Sequence, residues 1–79
     1  MIAIRSIRIP RAPVYVCHER TLKIGVAYRE TIYPMCGEGA ATKLYRELKK
    51  GYPRDRVAIV RRMPTVSRLV KVEIGKVAG

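Results

Sequence analysis

One segment of this chain has the periodicity of an amphipathic helix, and the other regular segments have the pattern of short strands. In GEGAATKLYRELKKG, at residues 37–51, apolar side chains recur three and four residues apart: Ala41, Leu44, Tyr45 and Leu48. Lys49 and Lys50 complement the helix dipole in the last turn, and Gly51 suits the C′ position. A lone helix with one apolar stripe needs a sheet to cover it, which predicts an α+β protein.

Five segments have strand-like composition or alternation. They lie at 14–18, 22–29, 31–35, 56–63 and 68–76, the third being the least regular. Residues 19–21 form a tight turn. The segment 56–63 has a continuous apolar run, which predicts a strand inside the sheet. Residues 2–9 are an edge strand or an arm, because Pro10 and Pro13 cannot donate to a ladder.

The alternation in 22–29 and 68–76 predicts which side chains share a face. In the first segment one set faces the core: Leu22, Ile24, Val26 and Tyr28. The other set faces outward: Lys23, Gly25, Ala27 and Arg29. In the second segment Val70 and Val72 face the helix, so Lys23, Arg29 and Lys71 are expected on the open face of the sheet.

These elements predict one domain, 1–79, in which 1–13 form the edge strand or arm. Their order is β-β-(β)-α-β-β. The simplest packing is a small antiparallel sheet with one helix packed on one face. A chain of 79 residues is long enough for one modest core.

The charge balance is the strongest functional signal. The chain has 17 Lys and Arg against 6 Asp and Glu, a formal net charge of +11. A charge of this size is self-repulsive unless a polyanion offsets it, and nucleic acid is the usual one. Anionic lipid and acidic proteins are the other partners of this kind. We expect nucleic acid, with RNA favoured over DNA.

Ten basic residues are the candidate phosphate contacts, because Lys and Arg side chains bind phosphate oxygens directly. The first group is Arg61, Arg62, Arg68 and Lys71. The second, at the helix end and exit turn, is Lys49, Lys50, Arg54 and Arg56. Lys23 and Arg29 complete the set.

No motif of a sequence-reading nucleic-acid module is present. The aromatic strand signature of the RNA-recognition sheet and the clamp loop of the other common single-strand binder are missing. No helix pair for the major groove is evident. Binding to the backbone or to a nucleic-acid structure is therefore expected, without readout of base sequence.

The cysteines and the single histidine leave several interpretations open. Cys17 and His18 are adjacent, so a strand sends their side chains to opposite faces and weakens a metal site with Cys36. Cys36 precedes the helix, where a thiolate is favoured, yet no orienting group for a catalytic His18 is evident. A disulfide between Cys17 and Cys36 is better supported, and two buried, reduced cysteines with a surface histidine remain the plainest interpretation. We expect no catalytic residues, metal or cofactor.

Asn and Gln are entirely absent. Both are thermolabile, and proteins of hot environments deplete them, which indicates a thermophile. No apolar run approaches the length of a membrane span, and the N-terminus lacks the apolar core of a signal peptide. We therefore expect a cytoplasmic protein.

The sequence thus predicts a small basic protein that binds RNA or DNA phosphates, for instance within a ribonucleoprotein or chromatin. The alternative is a protein-binding module, such as a viral or plasmid-encoded inhibitor of a host complex, using an edge strand to pair with its target. An enzyme built on Cys36 and His18 is the least favoured hypothesis.

Overall fold

The computed structural model describes residues 8–22, 24–25, 27–65 and 71–75. Its elements are β1 (Val14–Thr21), β2 (Ala27–Met35), α1 (Glu38–Gly51), β3 (Arg56–Val60) and β4 (Lys71–Ile74). The four strands form one sheet, and α1 packs on it. The predicted α+β class, with one helix on one face of a small sheet, is confirmed.

The sheet has the order β3-β1-β2-β4, and its strands are not all antiparallel. β1 runs antiparallel to β2 and β3, whereas β4 runs parallel to β2. A wholly antiparallel sheet was therefore a wrong prediction. Since β2 and β3 already flank β1, β4 adds at the outer side of β2. β3, predicted as interior, stands at one end of the described strand order.

The β1–β2 hairpin turns where the sequence predicted a strand. β1 continues to Thr21, so residues 19–21 are not the turn, and the chain reverses over residues 22–25. Gly25 has φ +85°, and its amide donates a 2.8 Å hydrogen bond to the Leu22 carbonyl. Leu22 and Ile24 are 49% and 80% exposed rather than in the core. The regular alternation of residues 22–29 predicted a continuous strand, but the left-handed backbone conformation of Gly25 forms the turn.

Between the sheet and α1 lies the larger apolar cluster. Its buried members are Val14, Val16, Met35, Ala41 and Val57. Leu44, Tyr45 and Leu48 pack against them, so the predicted stripe of α1 does face the sheet. The helix includes Gly51, and Tyr52 caps it by donating its amide to the Leu48 carbonyl at 2.7 Å.

A second cluster lies on the opposite face of the sheet and contains Tyr15, Ile32 and Val72. Ile9 and Ala12 pack against it. Tyr15 fixes this segment, because its hydroxyl donates to the Pro10 carbonyl at 2.8 Å and accepts from the Ala12 amide at 2.9 Å. Residues 1–7, where the predicted edge strand or arm begins, lie outside the described residues.

The position of Val72 corrects the prediction that α1 covers it. β4 pairs with β2 so that Val72 lies beside Glu30 and Ile74 beside Ile32. Partners in a parallel ladder share a face, so Val72 belongs with Ile32 on the face away from α1. Val70 lies outside the described residues.

We expect Gly75→Ala to lower the free energy of unfolding by about 1–3 kcal/mol, as overpacking does. A Cβ at Gly75 would overlap the ring of Tyr33, where the Gly75 amide bonds the Ile32 carbonyl at 2.8 Å. Gly39→Ala is the control. Its Cβ would point into open space at the start of α1, so the substitution should raise the free energy of unfolding by about 0.5 kcal/mol. Denaturant unfolding measures both, and equal effects would contradict the pairing of β4.

Candidate functional site

A buried pair, His18 and Asp55, joins β1 to the loop between α1 and β3. His18 is 1% exposed, and its Nε2 lies 2.7 Å from Asp55 Oδ2. The amide and hydroxyl of Thr21 each donate to Asp55 Oδ1 at 3.5 Å. The interpretation of His18 as a surface turn residue was therefore wrong. The partners are 37 residues apart, so no local pattern indicated the contact.

This pairing sets the pKa of Asp55. Burial raises the pKa, but the hydrogen bonds from His18 and Thr21, with the charges of His18 and Arg20, outweigh it and lower the pKa below its ordinary value. Asp55 therefore contributes to stability in its ionised form.

Tyr52 packs on the same pair from the end of α1. Its ring centroid lies 4.8 Å from that of His18, with the planes tilted by 47°. Arg20 Nη2 donates to the Tyr52 hydroxyl at 3.1 Å, and its guanidinium carbon lies 5.1 Å from the ring centroid. His18 and Arg20 are two residues apart on β1, so both project from one face of the sheet toward this ring.

The end of α1, the following loop and the start of β3 bring four predicted phosphate contacts together. We call this surface the basic edge: Lys49, Lys50, Arg54 and Arg56. Three of them (all except Lys50) line an open cleft of about 530 Å³, which Glu19 and Thr21 also line. Lys49 Nζ donates to the Asp55 carbonyl at 3.2 Å, which fixes the loop against the helix.

Arg54 and Arg56 form no ion pair with an Asp or Glu side chain. All six Asp and Glu residues lie in the described part of the chain, and none of them is within ion-pair distance of either arginine. Asp55, between the two arginines, pairs with His18 instead. Glu19 lies opposite Arg56 in the β1–β3 pairing, but neither arginine must break an ion pair with a side chain to bind a partner.

Arg61 and Arg62 lie at the opposite end of β3. Arg61 forms a two-point contact with Glu38: its Nε donates to Oε1, and its Nη2 donates to Oε2 at 3.1 Å. Both groups are more than half exposed. Since β3 separates them from Arg56, these two arginines do not join the basic edge. Arg62 is exposed beside this pair.

Arg29 and Lys71 converge on Glu73. Arg29 Nε and Lys71 Nζ each lie 3.8 Å from Glu73 Oε1, and the two basic residues are neighbours in the β2–β4 pairing. Arg29 is three residues before Ile32 on β2, so the two side chains point to opposite faces. Arg29 and its partner Lys71 therefore lie on the face that carries α1. Their prediction on the open face was wrong, because the register of β2 against β1 and of β4 against β2 turns both side chains to the helix side. Lys23 and Arg68 lie outside the described residues.

Cys17 and Cys36 are both free, so the possible disulfide between them is not formed in this structure. Cys17 lies opposite Ile32 in the β1–β2 pairing, and Ile32 precedes Cys36 by four residues. Four residues of strand span about 13 Å, beyond the reach of a disulfide. His18 lies opposite Thr31, which is one residue farther from Cys36 than Ile32 is. The hypothetical catalytic pair of His18 and Cys36 is therefore not assembled.

The environment of Cys17 also disfavours reaction. Burial, with the charges of Glu30 and Glu19, raises the pKa of its thiol to about 11. Cys17 lies on the face opposite His18, as their adjacency predicted. In the described part of the chain, no three His, Cys, Asp or Glu side chains are placed to hold a metal ion.

Comparison with protein-family models, curated proteins and solved structures gives no significant match to this chain. None of the helices among the described residues is long and apolar enough to cross a membrane. The interpretation of the site therefore depends on its own geometry.

We expect one thiol to react under native conditions, because Cys36 is exposed and Cys17 is half-buried with a raised pKa. Mass spectrometry after brief iodoacetamide treatment at neutral pH should show one modification, and two after denaturation without reductant. Cys36→Ser should abolish native labelling. Failure to label either cysteine in the denatured, unreduced protein would restore the disulfide.

We expect Asp55→Asn to lower the free energy of unfolding by about 1–2 kcal/mol at pH 7, since a charged hydrogen-bond partner of buried His18 is lost. The native pKa of Asp55 is lowered, so its contribution is complete at neutral pH. The contribution is lost as the pH falls below the unfolded value of about 3.9 and through the lower folded value.

Unfolding curves from pH 7 to 2 should therefore show the gap between wild type and Asp55→Asn narrowing in acid. Glu47→Gln, an exposed substitution on α1, is the charge-matched control and should change stability little. A gap that stays constant with pH would contradict the role given to the Asp55 charge.

Proposed function

We propose that the chain is a small, cytoplasmic nucleic-acid-binding protein of a thermophile, which binds RNA or DNA phosphates through the basic edge. The observation that carries this proposal is the grouping of Lys49, Arg54 and Arg56 around one cleft, in a chain of net charge +11. Clustered cations on one surface are the electrostatic footprint of a phosphate-binding protein.

The ion pairs of the fold favour the basic edge over the other predicted contacts. Arg61 must leave Glu38, and Arg29 and Lys71 must leave Glu73, before they can pair fully with phosphate. Arg54 and Arg56 need no such exchange. Binding a phosphate should therefore be more favourable in free energy at Arg54 and Arg56 than at Arg61, which must first break its ion pair.

The basic edge attracts phosphate through side chains and not through the helix. It lies at the C-terminal end of α1, where the helix dipole is negative. Lys49 and Lys50 offset that dipole, and the guanidinium groups of Arg54 and Arg56 can bind phosphate oxygens at two points. The stripe of α1 is packed on the sheet, so backbone contacts without base readout fit best.

We expect Arg54→Gln/Arg56→Gln to weaken binding to nucleic acid and to reduce the slope of log K against log salt by about 2, one for each lost phosphate contact. Fluorescence anisotropy with labelled RNA and DNA of mixed sequence, over a salt series, measures both quantities. Arg61→Gln/Arg62→Gln is the matched control, since it removes the same charge from the opposite end of β3 and should reduce the slope less.

Equal slopes for the two double variants would show that only net charge matters and would remove the basic edge as the site. Weak binding of the wild type at low salt would overturn the proposal itself. The second candidate, a protein-binding module, would then be favoured, because β3 stands at one end of the described sheet and offers a strand for pairing. Capture of a partner that resists nuclease treatment would support it.

A further inference from the structure

Tyr52 is an exposed aromatic residue within the basic edge. It caps the C-terminal end of α1, so Lys49 and Lys50 precede it and Arg54 follows it. Tyr52 is 41% exposed, although its ring also contacts the buried histidine.

The ring is held in place by two side chains of β1. His18 lies 4.8 Å from it between ring centroids, and Arg20 donates to its hydroxyl at 3.1 Å. Both supports project from the same sheet face, and Tyr52 still keeps 41% of its surface open to solvent. An aromatic ring fixed before binding loses little conformational entropy when a ligand packs on it.

We propose that Tyr52 is a stacking platform for an unpaired nucleobase, so that the basic edge binds single-stranded nucleic acid in preference to a duplex. This inference rests on the proposed phosphate binding. A base can stack on a protein ring only when it is free of its own helix, whereas phosphate contacts are made to either form. Lys50 and Arg54, on either side of Tyr52 in the chain, are the groups available to the adjoining phosphates.

Tyr28 provides the contrast within the same chain. It is 43% exposed, and it alternates with Glu30 and Ile32 on the other face of the sheet. Two carboxylates, Glu19 and Glu30, oppose each other on that face. Tyr28 therefore has the exposure of a platform but lies outside the basic edge, which makes it a matched control.

The test compares three variants with the wild type: Tyr52→Leu, Tyr52→Phe and Tyr28→Leu. Fluorescence anisotropy measures binding to a labelled uridine homopolymer and to a mixed-sequence RNA duplex of the same length, over a salt series. Circular dichroism confirms that each variant is folded. A homopolymer carrying 5-iodouridine is cross-linked to the wild type by light, and the attached residue is mapped by mass spectrometry.

We expect Tyr52→Leu to lose about tenfold in affinity for the homopolymer, with duplex affinity and salt slope unchanged. Tyr52→Phe, which keeps the ring, and Tyr28→Leu should stay within about twofold of wild type, and the cross-link should map to Tyr52.

If Tyr52→Leu lost equal affinity for the homopolymer and the duplex, or lost no affinity for either, the stacking role of Tyr52 would be overturned. If Arg54→Gln/Arg56→Gln still weakens binding in that case, the proposed phosphate binding stands alone. Wild-type protein that binds neither ligand at low salt would overturn both.

Discussion

The buried contact between His18 and Asp55 is the interaction on which the basic edge depends. An imidazole that is 1% exposed needs a partner for its polar nitrogen, and the loop after α1 supplies one. The loop is thereby fixed to β1, with Thr21 and Lys49 adding hydrogen bonds to the same aspartate. The positions of the surface cations therefore depend on a largely buried contact whose aspartate also lines the cleft.

Local patterns in the sequence predicted the parts of the fold that local forces decide. The stripe of α1 identified its buried face, and Lys49 at its end does line one cleft with Arg54 and Arg56. The turn at 22–25 was missed because an alternating run conceals one glycine with positive φ. The parallel docking of β4 and the His18–Asp55 pair depend on distant partners, which alternation and spacing do not reveal.

Two of the carboxylates pair with cations that lie away from the basic edge. Glu38 and Glu73 neutralise cations away from that edge, and Glu19 and Glu30 face each other across β1 and β2. Burial, and then the charge of Glu19, raises the pKa of Glu30. Opposed carboxylates are normally destabilising, but the positive potential of the whole chain reduces that cost.

The positions of the two outer strands also bear on folding. The β1–β2 hairpin and α1 join segments that follow closely in the chain, whereas β3 and β4 both pair with distant strands, with Ala58 beside Cys17 and Ile74 beside Ile32. Closing those loops is slow compared with forming the hairpin and the helix. Until β4 docks, the outer side of β2 is unpaired and Ile32 lacks Val72 as a neighbour. That interval is when a newly made chain is most exposed to aggregation.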